Sequence, residues 1–180
     1  MAERFKFSAD VLALAKGVKV LFLDVDGVFT TGEIYYSDAG EAIKTFNTLD
    51  GFGLRLLQLA NIIPVVISGR DSAALRARLK DLCFEHAHLG VTNKERQANE
   101  TLLKLGLGWD QAACMGDDWP DLPMLMPSRL ACAPPNAHTE VKSRADFITK
   151  AQGGRGALRE LCDLLLISNG HYQTLLNSYI

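Results

Sequence analysis

The chain predicts an α/β protein whose core is a parallel sheet with helices on both faces and a small β-hairpin inserted after the first strand. Three observations carry that expectation. Short β-type runs alternate with segments of helical period from one end of the chain to the other, the pattern of successive β-α-β units. Runs such as Val20-Leu21-Phe22-Leu23 and Ile62-Ile63-Pro64-Val65-Val66-Ile67 are apolar without alternation, as strands covered on both faces must be. Between Asp26 and Asp50 the pattern is broken by two short β-type segments around Ser37-Asp38-Ala39-Gly40, a turn with glycine at its end. Together these define a Rossmann-like arrangement.

Each element follows from local chemistry. Ser8 is placed to cap a helix running to Lys16, because its hydroxyl can accept from the unpaired amides of the first turn. Residues 18–23 are the first predicted strand, followed by residues 33–36 and 41–46 as the two arms of the hairpin. Asp50 is expected to cap a helix carrying Leu54, Leu57 and Ala60. Residues 62–67 form the second core strand, and Asp71 or Ser72 caps a helix with Leu75, Leu79 and Leu82 on one face. Residues 84–89 are the third core strand. Asn93 caps a helix that reaches Leu105, where Gly106 ends it. Residues 112–115, 130–133 and 146–149 complete the strands, with Pro134-Pro135-Asn136 marking a sharp loop. One domain of residues 1–180 is expected, with the hairpin over about 28–46 and a C-terminal helix and tail over about 155–180.

Composition excludes several functions. The 180 residues include 19 Lys plus Arg and 21 Asp plus Glu, so the formal charge is 19 − 21 = −2. The cations are scattered, so no basic footprint for nucleic acid is present. No apolar run approaches the length of a membrane span, and residues 11–15 are too few for a secretory core. Cys83, Cys114, Cys132 and Cys162 fit neither a metal clip nor a disulfide scaffold. They are expected to be reduced thiols of a cytoplasmic protein.

The informative stretch is Asp24-Val25-Asp26-Gly27 at the end of a buried strand. Two carboxylates two residues apart point to one side while strand geometry lasts. At the carboxyl end of a central parallel strand they face the crevice where such sheets bind ligands. Repulsion between them is relieved by a hard cation or a shared proton. Alone, the motif is as well explained by a solvated Asp-Gly turn. Three further segments follow later strands. Ser68-Gly69-Arg70 offers a hydroxyl and free amides suited to phosphate, Lys94 offers a point charge at a helix start, and Gly116-Asp117-Asp118 with Asp121 offers more carboxylates.

In this order, Asp-x-Asp-Gly, Ser-Gly-Arg, Lys and Gly-Asp-Asp-x-x-Asp resemble the four motifs of the haloacid dehalogenase superfamily of phosphohydrolases. The likeness extends to its sugar-acid phosphatases through Gly32-x-Ile34-Tyr35-Tyr36, Gly40-Glu41-x-Ile43-Lys44-x-Phe46, Asp50-Gly51-x-Gly53 and Gly153-Gly154-x-Gly156-Ala157-x-Arg159-Glu160. The resemblance implies a nucleophile at Asp24 that becomes an aspartyl phosphate, and an acid/base at Asp26. It implies Mg²⁺ held by the carboxylates of Asp24 and Asp117 and the backbone carbonyl of Asp26. Ser68, Gly69 and Lys94 would bind the phosphoryl group, Asp118 and Asp121 would support the site with Asp121 orienting Lys94, and Arg78 would meet a sugar carboxylate. The chain departs from the family at Thr31, where Asp is usual, and at Leu49, where Arg is usual. These changes leave open a related nonulosonate phosphate as substrate.

Two other classes share parts of this pattern. A non-catalytic oligomerisation module of the same fold need not keep Asp24, Asp26, Lys94 and Asp117, and all four are present. A phospho-aspartate receiver needs clustered acids and a lysine, but not Asp-x-Asp on its first strand. His86 and His88 share a strand face without a third ligand, and Trp119 stands beside the acidic motif, at the site entrance or packed at a helix start. The chain has no room for a cap domain, with 20 residues between Gly27 and Thr48. Cover for the site is therefore expected from a homo-oligomer, a tetramer by the resemblance, with the hairpin and residues 171–180 as contact segments.

Overall fold

The computed structural model describes Phe5, residues 7–38 and residues 40–180; Ala39, at the hairpin turn, lies outside them. The helices are α1 (Ala9–Ala15), α2 (Thr48–Leu59), α3 (Ala73–Asp81), α4 (Lys94–Leu105), α5 (Leu122–Leu125), α6 (Thr139–Lys142), α7 (Ala157–Ser168) and α8 (Tyr172–Asn177). The strands are β1 (Val20–Leu23), β2 (Tyr35–Ser37), β3 (Gly40–Ile43), β4 (Ile63–Ser68), β5 (His86–Leu89), β6 (Ala112–Met115), β7 (Leu130–Ala133) and β8 (Phe147–Ile148). Six strands form one sheet in the order β5-β4-β1-β6-β7-β8. Every pairing in it is parallel. Antiparallel β2 and β3 form a separate ribbon between β1 and α2, with a register shift at Tyr35/Tyr36.

Side-chain alternation along β1 divides the core. Leu21 and Leu23 pack on one face with Leu54, Leu57, Leu75, Leu161 and Leu165 of α2, α3 and α7. Val20 and Phe22 pack on the other with Ala98 and Leu102 of α4, Met124 of α5 and Val141 of α6. Central strands buried on both faces explain their unbroken apolar runs. The chain order across the sheet reverses at β1, which pairs with β4 on one side and β6 on the other. That switch point opens a crevice at the carboxyl ends of β1 and β6.

Caps match the local sequence at three helices: Ser8 accepts from Val11 N at 3.3 Å, Ser72 from Leu75 N at 3.3 Å and Asn93 from Arg96 N at 2.9 Å. Gly106 ends α4 at φ +67°, a left-handed conformation that costs glycine nothing. Asp50 departs from expectation. Helix α2 begins three residues earlier, behind Asn47, whose Oδ1 accepts from Leu49 N at 2.8 Å. Fully buried Asp50 instead reaches across to the first turn of α7, accepting from Gly156 N at 3.1 Å and Arg159 N at 2.8 Å. It caps a distant helix, which a local rule cannot foresee.

Residues 171–180 fold back on their own chain. Tyr179 packs edge-on against Phe52 of α2 with centroids 5.6 Å apart, and Arg159 of α7 lies over the same ring at 5.7 Å. Cys114, Cys132 and Cys162 are buried free thiols and Cys83 is exposed; burial raises the three buried thiols above their ordinary values. His88 of β5 spends its Nε2 on the Thr101 hydroxyl at 3.1 Å. No helix among the described residues is long and apolar enough to cross a membrane.

Candidate active site

Strand β1 delivers Asp24 directly into the switch-point crevice. Its backbone N–H donates to the Met115 carbonyl at 3.1 Å, so the last rung between β1 and β6 sits at the carboxylate itself. The chain then makes a tight turn, with the Val25 carbonyl accepting from Phe29 N and Thr30 N at 2.9 Å each. Gly27 occupies that turn at φ +96°, and a Cβ there would stand 2.0 Å from Asp117 Oδ2. Glycine is required both by the backbone and by the carboxylate pressed against it.

Helix α4 brings Lys94 from the opposite side. Its Nζ lies 2.6 Å from Asp24 Oδ1 and 2.6 Å from Asp121 Oδ1. Lys94 is 8% exposed, so these are charge-assisted bonds out of reach of most solvent. The other oxygen of Asp121 accepts from Asp117 N at 2.9 Å and Asp118 N at 3.3 Å. Asp118 completes a capping box around the 3-10 turn Trp119–Asp121, accepting from Trp119 N at 2.9 Å. One buried carboxylate thus orients both the lysine and the backbone that presents Asp117.

The charges do not balance. Asp24, Asp117 and Asp121 each offer an oxygen, all within 4.8 Å of one another. Among the described residues Lys94 is the one cation within bonding distance of Asp24 and Asp121. Burial, then the neighbouring Asp121 charge, pushes the Asp24 carboxyl up to about 6 against the pull of Lys94. Burial, then the charges of Asp24, Asp121 and Asp118, pushes Asp117 up to about 8. Lys94 is held above its ordinary value because the two carboxylates outweigh its own desolvation. A cluster that retains protons near neutrality, with hard oxygen donors alone, fits a small divalent cation such as Mg²⁺.

Asp26 faces elsewhere. Its Oδ1 pairs with the Lys44 ammonium, which also lies 3.2 Å from Glu41 Oε1. Arg70 Nε is 3.7 Å from Asp26 Oδ2, and the Thr30 hydroxyl is 3.5 Å from Oδ1. Ser68 closes β4 beside β1, with its Oγ accepting from Arg70 N at 3.1 Å. Gly69 is exposed, and a Cβ there would meet no atom closer than Val91 O at 3.7 Å. Arg78 lies 5.9 Å over the Phe46 ring and against Gly51. Its Nε is buried without a hydrogen-bond partner.

Several contributors carry no role in the sequence reading. Asn136, visible there as part of a Pro-Pro-Asn loop, donates from Nδ2 to Gly27 O at 3.0 Å and accepts from Gly153 N at 2.8 Å. Gly153 itself approaches so closely that a Cβ would fall 1.8 Å from Gly27 O. His138 N–H donates to the Asp117 carbonyl at 2.8 Å, and its Nδ1 accepts from the Trp119 indole at 3.0 Å. Trp119 is exposed, so this bond holds a rim aromatic in place. Placement of the loop at the carboxyl end of a strand is the one sequence signal that points to Asn136.

A site of this kind, acidic and with a lysine at the switch point of a 3-2-1-4-5-6 sheet, defines a class of α/β phosphate-handling proteins. Residues 54–161 match the family described as haloacid dehalogenase-like hydrolase. The 3-deoxy-D-manno-octulosonate 8-phosphate phosphatase of Escherichia coli K12 is 40% identical over 163 residues, 91% of this chain and 87% of its own. The Moraxella catarrhalis phosphatase of the same name, solved with magnesium, phosphate and KDO, superposes at a TM-score of 0.93 and 32% identity, covering 97% of this chain and all of its own. A cobalt-bound Haemophilus influenzae relative gives 0.85 at 38% identity, with 87% and 92% coverage. The chain belongs to the haloacid dehalogenase-like hydrolases.

Proposed function

We propose that this protein is a Mg²⁺-dependent phosphatase that hydrolyses 3-deoxy-D-manno-octulosonate 8-phosphate to the free sugar acid and phosphate. The observation that carries the reading is the Lys94 bridge, which sets a cation between Asp24 and Asp121 at the open end of β1. Asp24 attacks phosphorus and becomes an aspartyl phosphate, which divides one displacement into two. Asp26 gives its proton to the departing sugar oxygen and takes one from the water that follows. Asp24, Asp117 and the Asp26 carbonyl would hold Mg²⁺, which when bound would supply Lewis acidity toward charge on the phosphoryl oxygens. Lys94, Ser68 and the amide of Gly69 bind those oxygens. A Cβ at 69 would make only an ordinary 3.7 Å contact with Val91 O among the described residues, which leaves its backbone open to close approach by a ligand. Asp121 and Asp118 keep Lys94 and Asp117 in place.

The test is turnover of a panel of sugar-acid and hexose phosphates by the purified protein with Mg²⁺. The eight-carbon 3-deoxy acid should be preferred, and Asp24→Asn should abolish turnover while the protein stays folded. Retention of activity by that variant within threefold of wild type sinks the assignment. Thr31 and Leu49 favour testing other nonulosonate phosphates in the same panel. Leu49 is exposed near the hairpin, and the Thr31 hydroxyl is buried without a partner.

The 180 residues act as one domain, and the active form is a homotetramer. Tyr35, Tyr36 and Ile43 on a two-stranded ribbon, with nearby Leu49 and Phe52, are exposed, and a ribbon cannot bury such groups alone. Light scattering should report about four times the 19.7 kDa chain mass; a fully active monomer overturns this. In such an assembly a neighbour supplies the cover that the chain lacks, and Arg78 meets the substrate carboxylate. The setting is the cytoplasm, in synthesis of a lipopolysaccharide precursor, consistent with the three buried free thiols.

A further inference from the structure

Lys44 is the residue whose placement the phosphatase reading leaves unexplained. It directly follows β3 in the hairpin, yet its side chain is 2% exposed against 18% for Asp26. A lysine so placed cannot sweep through solvent to meet a ligand, and an ammonium is buried only when its charge is paired. Its partners are Asp26 Oδ1 and Glu41 Oε1, the latter at 3.2 Å. With Arg70 Nε 3.7 Å from Asp26 Oδ2, the group brings two cations together with the carboxyl groups of Asp26 and Glu41. Among the described residues no other close hydrogen bond restrains Asp26, because Arg70 stands off at 3.7 Å and the Thr30 hydroxyl lies 3.5 Å from Oδ1 and is also shared with the Val25 carbonyl at 3.3 Å.

We infer that Lys44 is a positioning residue for the acid/base step: it pins Oδ1 of Asp26, fixes the plane of the carboxyl group, and leaves Oδ2 as the oxygen that exchanges the proton. This rests on the phosphatase reading above. In the first half-reaction the Asp24 oxygen bonds to phosphorus, the bond from phosphorus to the sugar oxygen breaks, and the proton on Oδ2 passes to that oxygen. In the second half-reaction water attacks phosphorus, the Asp24 ester bond breaks, and a proton from the water returns to Oδ2. An untethered Asp26 can rotate about χ1 and χ2, and a misdirected proton donor loses rate steeply with geometry. The pairing also ties the hairpin to the chemistry, because Glu41 and Lys44 belong to the ribbon and its return.

The leaving group separates positioning from scaffolding. The ratio kcat/KM reports through formation of the phospho-enzyme, where an alkyl oxygen needs a proton and p-nitrophenolate does not. Lys44→Met should lower kcat/KM about 10- to 100-fold on the sugar-acid phosphate, or on any alkyl phosphate that the wild type turns over, and no more than about threefold on p-nitrophenyl phosphate. Lys44→Arg, which restores a donor to Oδ1, should recover most of the alkyl rate. Lys44→Leu, which likewise offers no donor to Oδ1, carries the same comparison if the methionine variant does not fold. Equal losses on both esters, or no loss on either, overturn the inference. Failure of the wild type on every phosphate monoester instead overturns the phosphatase reading, so the two failures are distinct.

Discussion

Asp24 and Asp26 stand two residues apart and meet different surroundings, and the roles proposed for them follow that difference. Asp24 is 7% exposed and bonded to Lys94, its one cationic partner among the described residues, a setting for a nucleophile aimed by a fixed charge. Asp26 sits where the turn has already left strand geometry, between Lys44 and Arg70. Replacing its acid group with an amide, Asp26→Asn, should cost a factor of about 10² to 10⁴ in kcat/KM on an alkyl phosphate and much less on p-nitrophenyl phosphate. Steady-state rates on the two esters check this, and parallel losses contradict an acid role.

Among the elements, the loop that follows β8 matters as much as the strands that carry the acids. Gly153 and Gly154 lie against the backbone of the Asp24 turn, Gly154 N donating to Val28 O at 2.9 Å and Asn136 bridging the two segments. There is no space between them, since a Cβ at 153 would meet Gly27 C at 2.6 Å as well as its oxygen. Gly153→Ala must therefore displace the turn that bears Asp26 and Gly27, and backbone cannot yield as a side-chain tip does. The expected result is a lowered Tm together with at least about a tenfold loss of kcat, because small misplacements of reacting groups are expensive. A variant with wild-type activity would show that the loop is not coupled to the site. Asp50 works in the same region, joining the start of α2 to the first turn of α7.

For the whole molecule, the acidic cluster links stability to pH and to the cation. In the metal-free fold Asp24 and Asp117 titrate near 6 and 8, above the ordinary 3.8. Between about pH 4 and pH 8 the unfolded chain therefore binds fewer protons than the folded one, and stability falls as pH rises through that window. Mg²⁺ replaces those protons, so its stabilising effect grows with pH. Thermal melts with and without Mg²⁺ should show a larger rise in Tm at about pH 8.5 than at about pH 5.5. An increment that is flat with pH, or absent, would place the cation elsewhere.

The sequence alone determined the architecture and the set of acids. Continuous apolar runs can be satisfied only by strands covered on both faces, and β6 and β7 lie at 112–115 and 130–133 as read. Ser72, Asn93 and Gly106 act within a few residues of themselves, so their caps are legible locally. Asp24, Lys94 and Asp117 are legible for a different reason: each follows a strand or opens a helix, and parallel topology brings those points to one end of the sheet. Only the tertiary structure decided which charges meet. Asp50 caps a helix that begins over a hundred residues later, Asn136 staples two loops, and Lys44 turns from an exposed ribbon into the site. Period and propensity describe a residue's neighbours along the chain, whereas these bonds are set by how the switch point and the hairpin fold over each other.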